Sequence, residues 1–129
     1  MKHRRVVFVV WLWIWAYCCV ACAATPAIQV ESNAYRVQAE LERVGLGKRP
    51  VVLTITTLTG APVTGAQVEI LPIMEQHGML SPPVILQETA PGVYTHPELD
   101  LTMSGEWQLK LAITRAEVRS ELILPVIIE

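Results

Sequence analysis

The segment Pro72-Ile73-Met74-Glu75-Gln76-His77-Gly78-Met79 concentrates the side chains of this sequence that are able to do chemistry. Two thioethers, Met74 and Met79, and one imidazole, His77, fall within six positions. Soft sulfur combined with imidazole selects Cu(I), whereas carboxylate sites select harder cations. Gly78 lets the backbone fold, so that residues on both sides of it could face one ion. Met74, His77 and Met79 are therefore the candidate metal ligands. The same residues have a plainer use, because methionines at the end of an apolar core commonly serve as flexible plugs.

Catalysis has no comparable foothold. The sequence contains no nucleophile elbow, no glycine-rich phosphate loop, no HExxH and no close carboxylate pair, so an enzyme is not expected. Zinc is not expected either, because His77 and His96 are not at ligand spacing and the three cysteines, Cys18, Cys19 and Cys22, all lie in the first 25 residues.

Those first residues differ in kind from the rest. Lys2, His3, Arg4 and Arg5 precede nineteen residues, Val6 to Ala24, without a charge. A basic start, an apolar run and then Ala21-Cys22-Ala23 make a secretory signal with an A-x-A-like cleavage site. Lipoprotein processing at Cys22 is an alternative, although Cys19 stands where such sites usually have leucine. Retention as an anchor is another, since the run would reach about 28 Å as a helix and just span a hydrocarbon core. Each alternative exports residues 25–129, to a periplasm or the outer face of a membrane, with membrane association through the leader or a lipidated Cys22. Past the leader, seven basic residues stand against twelve acidic ones. That net charge of −5 argues against nucleic acid as a partner.

Residues 25–129 form one small domain, large enough for a single core. Short apolar runs bounded by glycine and proline predict an all-β fold, an immunoglobulin-like sandwich of about seven strands. A strand is expected at Val51 to Leu58, with Val51, Leu53 and Ile55 on one face, and the next carries Ala66, Val68 and Ile70 inward. Pro72 to Pro83 reads as a loop. A strand from Val84 to Glu88 leads to a Pro91-Gly92 turn and another strand from Val93. Trp107, Leu109, Leu111 and Ile113 alternate with Gln108, Lys110 and Ala112 as the clearest half-buried strand. Arg115-Ala116-Glu117 turns the chain into a last strand, Val118 to Ile128, where Leu122-Ile123-Leu124 blurs the inward face. An earlier strand is expected around Tyr35 to Leu41.

Strand parity supplies a fourth candidate ligand. If the strand from Val93 runs on to Leu101, Met103 reaches the loop's end of the molecule, while His96 lies mid-strand on one face with Tyr94 and Asp100. If it breaks at Pro97, His96 takes the loop end instead. The first arrangement is favoured, although a proline inside a strand demands an edge or a bulge.

The elements LTITTLTGAPVTGAQVEI, PIMEQHGM and PGVYTHPELDLTMSGEWQLKLAI, in this order, resemble the YtkA-like (FixH-like) domain family over about Val51 to Leu111. The resemblance implies an exported or membrane-anchored immunoglobulin-like domain, often found in metal-handling or respiratory-oxidase assembly contexts, with copper as the proposed ligand. Carried onto this sequence, the Met/His loop becomes Met74, His77 and Met79, joined by Met103. The leader departs from a plain anchor. Two functions are thus expected to compete: holding or passing Cu(I) outside the cytoplasm, and a non-metal structural or interaction role toward another envelope protein.

Overall fold

A computed structural model describes residues 27–129; the leader with Cys22 lies outside the described residues. The described chain is all-β. Its strands are β1 (Ile28–Glu31), β2 (Tyr35–Leu41), β3 (Gly47–Thr57), β4 (Gln67–Met74), β5 (Met79–Leu80), β6 (Val84–Ala90), β7 (Val93–Leu101), β8 (Gly105–Arg115) and β9 (Val118–Ile128). All pairings are antiparallel, and the strands follow the order β1-β2-β3-β7-β6-β4-β8-β9, with β5 attached to β4. The path wraps round until β1 lies beside β9, so the surface is nearly closed. Nine strands replace the seven expected, the additions being the short β1 and β5.

Period-two patterning places the core inside this wrap. Val51, Leu53 and Ile55 of β3, Val68 and Ile70 of β4, and Trp107, Leu109, Leu111 and Ile113 of β8 are all buried, on the faces their alternation assigns. On β9 the ambiguity resolves cleanly: Leu122, Leu124, Val126 and Ile128 point in, while Ile123 and Ile127 point out. The β8–β9 hairpin closes through Ala116 and Glu117, both with positive φ (48° and 66°), the two-residue turn whose twist suits a hairpin.

The prolines are where the expectations need correcting. The stretch Pro72 to Pro83 is not a single loop. β4 continues through Pro72 to Met74, a 3-10 turn follows at Glu75–His77, and β5 pairs back onto β4. Pro72 fits because its backbone faces the side where β6 has already ended. It has no N–H to place there, and its carbonyl accepts from Ser81 N at 3.1 Å. On β7, Pro97 does not break the strand. It sits with Pro50 of β3 at one irregularity, between the pairs Arg49↔Leu99 and Val51↔His96. The bulge shifts the parity, so Tyr94, Leu99 and Leu101 are all buried while Asp100 turns outward. His96, paired with inward-facing Val51, shares the face of Tyr94 as expected, whereas Asp100, beyond the bulge, does not.

The β2–β3 connection holds a residue whose role the sequence concealed. Arg49 is buried, and its guanidinium donates to the carbonyls of Glu42 (2.6 Å), Gly45 and Gly47 (3.4 Å). A buried charge is costly unless hydrogen-bonded, and here backbone carbonyls supply the partners. The loop so ordered in turn holds the last residue, with Glu129 N donating to Arg43 O at 2.8 Å and Gly45 N to Glu129 O at 2.9 Å.

At the opposite end, the β3–β4 connection is clamped by Tyr94. Its hydroxyl donates to Val63 O at 2.7 Å and accepts from Ala66 N at 3.2 Å. Burial, reinforced by the neighbouring Glu88 carboxylate, raises its pKa above 10.0.

Candidate functional site

The chain builds the loop end of the molecule from the alternation of β4. Val68, Ile70, Pro72 and Met74 are successive inward positions, and all four are buried. Met74 is thus the last core residue of its strand, with no exposed surface. A Cβ added at Gly105 would stand 3.4 Å from its terminal methyl, which shows how closely the thioether lies against β8. Beyond Met74 the 3-10 turn carries Glu75, Gln76 and His77 outward, all exposed. Gly78, with φ of 61°, closes that turn by donating to Glu75 O and lets Met79 pair with Met74.

The four candidate ligands therefore share one end of the fold but differ in exposure. Met74 points into the core, whereas His77 is exposed. Met79 and Met103 are partly buried and pack against the same apolar cluster as Met74. Met103 does lie at the loop end, as the continuous β7 requires, and its carbonyl accepts from Trp107 Nε1 at 2.9 Å. His96 is mid-strand opposite Val51, with its Nδ1 accepting from Glu98 N at 3.2 Å. Among the described residues no group of three or more His, Cys, Asp or Glu could hold a metal ion. The expectation of a metal-binding cluster is accordingly corrected for the described residues, where Met74 is engaged in packing. Among the described residues no helix is long and apolar enough to cross a membrane; the expected membrane association rests on the leader and Cys22, which lie outside them.

What the loop end does present is a cleft of about 280 Å³. The 3-10 turn forms one wall with Glu75 and Gln76, and the adjoining ends of β8 and β9 form the rest with Glu106, Gln108, Pro125 and Ile127. Gln76 Nε2 donates to Glu106 Oε2 at 3.5 Å. Among the described residues neither Glu75 nor Glu106 forms an ion pair, so the cleft carries two carboxylates without a cation. At the far end of the same outer face, Glu121 receives Lys110 at 3.2 Å and Arg119 at 3.2 Å, and these cations lower its pKa below 4.5.

The cleft was not foreseen. Its only sequence signal is the placement of Ile123, Pro125 and Ile127 on one face of β9, which the neighbouring Leu122 and Leu124 mask.

No curated protein and no solved structure matches the chain. Residues 29–112 match the family described as YtkA-like. The matched stretch begins in β1, takes in the Met/His loop, Met103 and the cleft residues up to Gln108, and ends inside β8. The chain belongs to the YtkA-like family.

Proposed function

We propose that this domain serves as a structural or protein-interaction module of the cell envelope, without a metal in its function. As a member of its family the chain is a non-catalytic domain. The observation that carries the reading is the burial of Met74: one of the loop's two thioethers is spent on the core, and exposed polar groups remain around it. The basic, then apolar leader supports export to the periplasm or the outer face of a membrane. The scaffold is read as an immunoglobulin-like sandwich, in which β1, β2, β3 and β7 form one layer and β4, β8 and β9 the other, with β6 bridging them.

The test has two arms. Competition against a Cu(I) chelator is expected to show no stoichiometric uptake, and site-specific photocrosslinking from outward positions in cells is expected to trap a protein. One Cu(I) per chain, lost on replacing both Met74 and Met79, would overturn the proposal.

A further inference from the structure

The outer face formed by β4, β8 and β9 is unlike the other side of the molecule. One face of an antiparallel sheet packs on the core and the other is ordinarily polar. β2 obeys this with Arg36 outward and Gln38 and Glu40 exposed, and β3 does so with Thr54 and Thr56. By contrast, the outward residues of β4 include Leu71 and Ile73, and those of β9 include Ile123, Pro125 and Ile127. Ile123 and Ile127 are 54% and 57% exposed, a large apolar area to leave in water.

The strand register arranges this face in three rows. Ile73, Gln108 and Pro125 lie side by side in the central row. On one side of it, Leu71, Lys110 and Ile123 form the next row. On the other side lie Glu106 and Ile127, with Glu75 of the adjoining turn. The flanking rows have opposite character at the β8 position, an acid in one and a base in the other. A two-fold axis through Gln108, perpendicular to the strands, would lay each flanking row on the other row of a second copy. Lys110 would meet Glu106, Ile123 would meet Ile127, and the central row would meet itself.

We propose that this face pairs with the same face of a second copy of the chain, forming an isologous dimer in which Lys110 of each copy enters the Glu75–Glu106 cleft of the other. This rests on the reading of the domain as an interaction module and names its partner. Self-complementarity is met at the β9 and β8 positions: Ile123 matches Ile127, and Lys110 and Glu106 are opposite in charge. The acidic cleft lacks a cation of its own among the described residues, and Lys110 would add Glu106 of the other copy to its existing partner Glu121. Face-to-face packing is also favoured over edge pairing. The Glu129 hydrogen bonds show that odd-numbered residues of β9 turn their backbone to the open edge. Pro125 is one of these and has no N–H to give, while Arg119 and Glu121 place charges along the same edge.

Sedimentation of protein purified from cells expressing the full chain, over about a hundredfold range of concentration, is expected to show a monomer–dimer equilibrium. Glu106→Lys and Lys110→Glu each set like charges opposite one another twice per dimer and are expected to weaken it at least about tenfold. Mixing the two variants, or combining both changes in one chain, restores opposite charges at every contact and is expected to restore the dimer. A variant that merely failed to fold would not be rescued this way. A monomer throughout the range, unchanged association in Glu106→Lys, or no rescue in the double variant would overturn the proposal. A photocrosslinker at Ile127 separates this failure from that of the general reading: trapping of an unlike protein, with no self-crosslink, sinks the dimer and leaves the interaction module standing.

Discussion

Replacing Met74 by alanine separates a core plug from a metal ligand, because the two roles predict opposite results in metal-free buffer. Met74 has no exposed surface, packs against Gly105 at the end of β8, and ends a strand whose inward residues are all buried. Truncating a buried methionine removes its transfer free energy and leaves a cavity, which together cost about 2–5 kcal/mol. Complete burial places this site near ~3–4 kcal/mol on that scale. With an m-value near ~1.5 kcal/mol/M for a domain of this size, the urea midpoint should fall by about 2–2.7 M. Met74→Leu removes the sulfur at nearly constant volume and should cost less than about 1.5 kcal/mol. His77→Ala, on the exposed turn, should stay within about 0.5 kcal/mol. Unfolding can be followed by the fluorescence of Trp107, the only tryptophan of residues 27–129. If Met74→Ala unfolds at the same urea concentration as the parent in the presence of a chelator, the packing assignment is refuted.

Arg49→Met leaves the carbonyls of Glu42, Gly45 and Gly47 without their donor and should cost about 2–3 kcal/mol by urea unfolding, with Arg49→Lys recovering only part of it. Gly92→Ala forces a side chain into φ of 75° and within 2.9 Å of Ile55 O and Pro62, so a loss of about 2–4 kcal/mol is expected in thermal or urea melts. Tyr94→Phe should cost about 1–3 kcal/mol at neutral pH, because Val63 O and Ala66 N lose their partner. The raised pKa of Tyr94 means that the unfolded chain loses the phenolic proton first. Its contribution is present in full below pH 10.0 and disappears as pH climbs through the folded value. Alkaline unfolding curves of Tyr94→Phe should therefore lack that part of the decline.

The strands were legible wherever alternation was unbroken. Trp107 to Ile113 and Val51 to Ile55 declared their inward faces because polar and apolar residues took turns. Proline misled in opposite ways at its two positions. Pro72 looked like the start of a loop, yet a strand tolerates proline where no partner needs its N–H, and that depends on where β6 ends. Pro97 was rightly allowed inside a strand, but the bulge it shares with Pro50 moved Asp100 to the other face. The methionine loop misled for a related reason. Residue type states what a thioether can bind, whereas two further residues of β4 decide that Met74 faces inward. Arg49 was illegible altogether, since a buried arginine served by backbone carbonyls leaves no acidic partner to notice.

The near-closure between β1 and β9 has a kinetic consequence. β1 is four residues long, pairs only with β2, and lies beside β9 without a hydrogen-bonded ladder. The two strands come from opposite ends of the described chain, so this seam carries a large loop-closure cost unless the strands between them are already in place. Contacts so distant in sequence slow folding toward the millisecond-to-second range typical of non-local β topologies. The same seam is the natural place for the native protein to breathe. Amide protons of β1 should exchange through local opening while those of β3 and β8 wait for global unfolding. A pull on the N-terminal side would accordingly peel off one short strand and leave the remaining core shut.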